Sequence, residues 1–161
     1  MNKQSGLTLV ELLVVLVIIS VSIGAYSLLK HIISYKTNLD TSDIKNEIVL
    51  AKNMAISKKI PHIVFFENNQ ILVVADNNYS GERENTDTVV KSRTLNEISF
   101  DTKNAEIPGN KDQRYVIFTP SGGISDSTLK NGTAKGSLQV VGKNNKTKTL
   151  NFRITGYVKA L

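Results

Sequence analysis

The chain has 161 residues, 20 Lys and Arg against 14 Asp and Glu, a formal net charge of +6, and no cysteine. That length holds a membrane anchor and one small head domain. The missing thiols exclude disulfides, thiolate metal sites and a lipoprotein-type lipid attachment.

Residues 1 to 6 form a short polar leader with one basic residue, Lys3. From Leu12 to Leu29 there are 18 residues without a charge. As a helix this run is about 27 Å long, close to the roughly 30 Å hydrocarbon thickness of a bilayer. A single carboxylate, Glu11, stands at its start. An ionised carboxylate entering an apolar medium needs a partner, and the next basic residue is Lys30. An ordinary secretory signal also pairs a basic residue with an apolar core, and Ser22-Ile23-Gly24 would serve as its cleavage site. Glu11 inside the apolar run counts against that reading.

Gly6 followed by Leu-Thr-Leu-Val-Glu and a long apolar run resembles the class III signal of type IV prepilins and pseudopilins. The resemblance implies cleavage by prepilin peptidase between Gly6 and Leu7, with methylation of the new amino terminus at Leu7. It implies that Glu11, fifth in the mature chain, compensates the terminal ammonium of a neighbouring subunit. The expected location is a single-pass cell-membrane protein with an external head, later packed with other subunits into a pilus or pseudopilus. Leu7 departs from the family's more usual phenylalanine.

The first proline is Pro61, so the helix can run on past the membrane. Beyond Lys30, Ile44, Ile48, Ala51 and Ala55 recur at helical spacing and make one apolar stripe. Lys45, Lys52 and Asn53 fall off that stripe, toward solvent. A break at Thr37 to Ser42, with a capped second helix, is the alternative. Four parts follow: leader 1–6, transmembrane helix 7–29, amphipathic helix half 30–59 and a β-rich head 60–161.

In the head, His62 to Phe66 and Gln70 to Ala75 read as a hairpin about Glu67-Asn68-Asn69. Strands are expected at Thr88 to Leu95, Ile98 to Phe100, Tyr115 to Thr119, Ser137 to Gly142 and Thr147 to Ile154, with a short last piece at Tyr157-Val158. The fold class is α+β: a long N-terminal helix packed on a small antiparallel sheet, the lollipop shape of pilins. Phe118-Thr119-Pro120-Ser121-Gly122-Gly123 and Ile154-Thr155-Gly156-Tyr157-Val158-Lys159 resemble the C-terminal features of GspH/FimT-type minor pilins and pseudopilins. Tyr157 and Lys159 stand where those proteins commonly have arginine.

After Asp126 there is no acidic residue, while Lys130, Lys135, Lys143, Lys146, Lys148, Arg153 and Lys159 follow. Such an end suits anionic neighbours: DNA, wall polymer, phospholipid headgroups or an acidic subunit surface. The family resemblance implies a DNA-binding alternative, carried by Lys143, Lys146, Lys148, Arg153 and Lys159. Asp76, Asn78, Ser80 and Asp87, with Gly81 between them, match the oxygen spacing of a calcium loop. The short Asp87, the strand-like flanks and Arg83 inside the loop fit a polar hairpin loop better. Catalysis finds no pattern: His31 reads as interfacial, His62 as a strand start, and Ser121 lacks the first glycine of a nucleophile elbow. No cofactor is expected.

Overall fold

The computed structural model describes residues 8–126, 135–143 and 145–160. Gly6, Leu7, the rest of the leader and Lys130 lie outside the described residues. One helix, α1, runs from Leu9 to Lys58 without interruption, so Thr37 to Ser42 lies within it and caps no second helix. Its described start is two residues later than the expected Leu7, because extended Thr8 is its N-cap. At the other end, Lys59 adopts a left-handed conformation and Pro61 follows, which together stop the helix. By length and composition α1 is able to cross a membrane.

The head holds two four-stranded antiparallel sheets. The first orders its strands β3 (Thr88–Thr94), β2 (Gln70–Ala75), β1 (His62–Glu67) and β5 (Gln113–Phe118). The second orders β4 (Ile98–Asp101), β6 (Lys135–Gly142), β7 (Thr147–Arg153) and β8 (Val158–Ala160). The β1–β2 turn is a tight one, with Glu67 opposite Gln70 and Asn68 at positive φ. Asparagine tolerates that conformation.

Alternation on β1 divides the interior in two. Val64 and Phe66 face the main core with Ile44, Ile48, Ala51 and Ala55 of the helix. The small Ala51 and Ala55 let the helix come close to the sheet. Phe66 joins the layers, its ring 5.1 Å from Phe100 of β4 and 5.8 Å from Phe152 of β7. On the other face, Ile63 and Phe65 cluster with Leu72, Val74 and Ile117. The loop after β2 lies across this second cluster: a Cβ added at Gly81 would sit 3.4 Å from Ile117, and Arg83 reaches Glu67 at 3.5 Å.

Charged groups fasten the helix to the head at its sides. Arg93 of β3 pairs with Asp43 and, at 3.2 Å, with the buried Glu47. Lys52 departs from expectation. It is half-buried, and its Nζ donates to the Gly156 carbonyl at 3.2 Å. Lysine can do this because its stem packs on apolar surface while its ammonium finds an oxygen.

The two C-terminal motifs meet at that point. Gly156 has φ +74°, and a Cβ there would lie 2.0 Å from the Gly122 carbonyl oxygen. Gly122, at φ +84°, sits against Ile56 of the helix. Ile124 N–H donates to the Ile154 carbonyl at 2.8 Å. A Pro/Gly turn and a terminal glycine far apart in sequence thus form one contact with α1.

His62 is fully buried at the start of β1. Its Nδ1 lies 3.0 Å from the Ile60 carbonyl, and the imidazole donates there, which leaves Nε2 an acceptor. Among the described residues nothing donates to Nε2. Burial holds the imidazole pKa below its ordinary value; the Ile60 carbonyl opposes this and the Lys58 charge reinforces it. The folded pKa is therefore depressed. Above about pH 6.5 both states are neutral and stability is complete; as pH falls from there, the unfolded chain takes up a proton that the native chain resists. Thermal unfolding of the full chain in detergent should show a loss of stability beginning near pH 6.5, and His62→Leu should flatten that part of the profile.

Candidate functional site

Three regions concern function, and the first is the start of α1. Residues 9–29 are exposed on every side of the helix, with Leu9 80% and Ile18 59% accessible. Ser20 and Ser22 turn their hydroxyls back onto the carbonyls of Leu16 and Ile18, both at 2.8 Å, so they offer little polarity to an apolar medium. Glu11 forms a capping box with Thr8. The Thr8 N–H and hydroxyl donate to Glu11 Oε2 at 2.8 and 2.9 Å, and the Glu11 N–H donates to Thr8 Oγ1 at 3.3 Å. Among the described residues Oε1 accepts no hydrogen bond, and no cation stands beside the carboxylate. The Thr-x-x-Glu spacing is a capping signature readable from the sequence, and it gives Glu11 a role within its own helix.

The second region is the basic surface, which the fold divides. Arg153 lies at the end of β7 away from the β6–β7 turn, with Lys135 opposite it, and Lys159 of β8 lies opposite Asn151. They line a cavity of about 250 Å³ together with Tyr157, and the Arg153 guanidinium stands 5.9 Å from the Tyr157 ring centre. Lys143, Lys146 and Lys148 occupy the opposite end. Lys148 is about 17 Å along β7 from Arg153. Its Nζ donates to Asn38 Oδ1 of the helix at 3.1 Å, and Lys143 stands 3.9 Å from Glu97. The five cations therefore do not make one patch.

The third region is the loop from Asp76 to Asp87. Buried Asp76 accepts the N–H groups of Ser80 and Gly81 at 3.1 and 2.9 Å. Asp87 accepts those of Asn77 and Glu84 at 3.2 and 2.9 Å. Asn78 Oδ1 accepts from Ser80 N–H at 3.2 Å, its Nδ2 donates to Glu84 Oε2, and the Ser80 hydroxyl donates to the Glu82 carbonyl. These oxygens thus close the loop on its own backbone. Among the described residues no three His, Cys, Asp or Glu side chains stand close enough to share a metal ion. Ser121 pairs its hydroxyl with Thr119 at 2.8 Å within the turn.

Residues 1–27 match the family model of the prokaryotic N-terminal methylation motif. No curated protein sequence matches the chain. Two solved structures share its fold. The minor pseudopilin EpsH from the type 2 secretion system of Vibrio cholerae aligns with a TM-score of 0.52 at 13% identity, over 78% of this chain and 96% of that one. The type IV minor pilin FimU of Pseudomonas aeruginosa aligns with a TM-score of 0.53 at 11% identity, over 77% of this chain and 91% of that one. The chain therefore carries the methylation motif on a type IV pilin-like fold: a long apolar N-terminal helix and an antiparallel head.

Proposed function

We propose that this protein is a minor pilin or pseudopilin, a structural subunit of a type IV pilus or a type II secretion pseudopilus. Prepilin peptidase cuts it between Gly6 and Leu7, Leu7 is methylated, and the subunit waits in the cell membrane with its head outside until it joins other subunits. The observation that carries this reading is the helix from Leu9 to Leu29, apolar and exposed on every side beneath a pilin-like head. Each such Leu, Ile or Val gains roughly 1.5–3 kcal/mol on leaving water, so the segment is covered either by lipid or by other helices. A subunit that moves from bilayer to filament exchanges one cover for the other. Glu11 then has a cation to meet, the ammonium at Leu7 of a neighbour.

The test is the mass of the mature N-terminal peptide from cells with and without prepilin peptidase. A peptide beginning at methylated Leu7, made only when the peptidase is present, is the expected result. Intact Met1, or a start near Ala25, overturns the reading.

A second reading, a DNA-uptake pilus subunit, is favoured by the cavity that gathers Lys135, Arg153 and Lys159 beside Tyr157. Ammonium and guanidinium groups hold phosphates and the ring can stack on a base. Replacing Arg153 and Lys159 together by glutamate is expected to weaken duplex binding and to reduce its salt slope by about two. Unchanged binding rejects this reading.

A further inference from the structure

The edge of β4 that faces away from β6 is closed by the chain itself. The Phe100 N–H donates to the Asn68 carbonyl of the β1–β2 turn, and the Phe100 carbonyl accepts the Thr102 N–H at 3.1 Å. With those groups taken, a strand of four residues offers no ladder to an added peptide strand. A trough nevertheless lies beside this closed edge. One part is a cavity of about 420 Å³, with Asn68, Asn69, Asn96, Ser99, Val141 and Lys143 in its wall. The other, of about 430 Å³, shares Asn68, Ser99 and Val141 with the first and continues over Asp101 and Asp112. Each has the size of a small-ligand site.

The alternation of β4 and β6 sets the floor. Ile98, Phe100 and Val140 face the main core, so Ser99 and Val141, opposite each other in the ladder, face outward. Val141 is half-buried and presents an apolar patch. Around it the polar groups are unspent. Among the described residues the side-chain amides of Asn68, Asn69 and Asn96, the Ser99 hydroxyl and the Asp112 carboxylate make no hydrogen bond. Charge does not favour an ion there. The first cavity holds one ionisable group, Lys143, which stands 3.9 Å from Glu97; the second sets Asp101 and Asp112 against Lys103 and Lys111.

An amide both donates and accepts, as a sugar hydroxyl does, and the carbon face of a pyranose ring packs on an aliphatic side chain. We propose that the trough between the β1–β2 turn and the β4–β6 ladder binds a neutral oligosaccharide. Asn68, Asn69, Asn96 and Ser99 hold its hydroxyls, Asp112 accepts from further ones, and Val141 lies beneath a ring. The two joined cavities suit successive sugar units of one chain. The site makes the head a glycan-contacting module, whatever the route by which the subunit is processed or assembled.

The test uses the full chain in a zwitterionic detergent free of sugar, with chitotriose, cellotriose and maltotriose as probes. Binding is read from the side-chain amide signals of isotope-labelled protein during titration. At least one trisaccharide is expected to bind, to shift the Asn69 and Asn96 signals and to keep its affinity as salt is raised. Asn69→Ala with Asn96→Ala should weaken it about twenty-five-fold, at roughly fivefold per hydrogen bond. Ser99→Val, which suits the strand and fills the trough, should weaken it as well, and decides the matter if the double variant does not fold. Lys135→Gln, at the far end of β6, should leave it unchanged. Absence of binding by all three sugars overturns the proposal. So does affinity unchanged in either folded variant, or affinity lost as salt rises, which makes the contact part of the basic surface.

Discussion

Glu11→Ala is expected to leave the protein folded and inserted in the membrane but to prevent its assembly with other subunits. The substitution removes the capping box seen in the structure and the intersubunit pair proposed above, which differ in size. Loss of the capping box with Thr8 costs about 1 kcal/mol and frays one turn of a helix of 50 residues. In the proposed filament, loss of the carboxylate would also leave a neighbour's ammonium unpaired within a bundle of apolar helices, at a cost on the order of 3–5 kcal/mol. Incorporation should therefore fall more than a hundredfold, as read by subunit content of sheared filaments or by crosslinking to partners. Glu11→Gln separates the two effects, because the amide oxygen can still cap the helix and carries no charge. If Glu11→Gln assembles as poorly as Glu11→Ala, charge pairing dominates. Normal assembly of Glu11→Ala rejects the role given to this residue.

Gly156→Ala should damage the head more than its position near the C-terminus suggests. The backbone at 156 has positive φ, and the new Cβ would stand 2.0 Å from the Gly122 carbonyl oxygen. Neither atom belongs to a flexible side chain, so the terminal turn must move. Its movement would separate the Gly156 carbonyl from Lys52 and loosen the Gly122 contact with Ile56. A loss of about 3 kcal/mol is expected, lowering the Tm of a head this size by roughly 15 °C. Ser121→Ala, in the same turn, should cost under about 1 kcal/mol, since Ser121 is exposed and its hydroxyl pairs with that of Thr119. Equal melting of Gly156→Ala and wild type would show that the turn can yield without strain.

Much of the architecture was legible because it depends on local period. The apolar run from Leu12, the stripe through Ile44 and Ala55, and the short apolar runs of β1 and β2 on either side of Glu67-Asn68-Asn69 each report their own element. Several strand ends lay a residue or two from expectation: β5 starts at Gln113 and β6 at Lys135. What local period does not carry is pairing across distance. β5 returns to lie beside β1, and β4 leaves the first sheet to pair with β6, so one expected sheet is in fact two.

The same limit governed the candidate sites. Lys143, Lys146, Lys148, Arg153 and Lys159 are close in sequence, yet the first three gather at the β6–β7 turn, Arg153 stands at the far end of β7 and Lys159 lies opposite Asn151. Lys52 looked solvent-facing because it lies off the stripe, and only the return of Gly156 supplies its acceptor. Thr37 and Thr41 left a helix break open as the alternative, because hydroxyl residues favour caps. In place, the hydroxyl of Thr41 donates to the Thr37 carbonyl at 2.8 Å, so the helix continues through them.

The unbroken course of α1 has a mechanical consequence. Fifty residues make a rod about 75 Å long, and its upper part is held to the head by the Ile44–Ala55 packing, the Arg93 ion pairs and Lys52. Rod and head translate as one piece. In the filament proposed above, a push or a turn applied at the foot of such a rod would pass to the head through one continuous helix. A subunit so built would transmit displacement rather than absorb it, and the compliance of the filament would reside in the contacts between subunits.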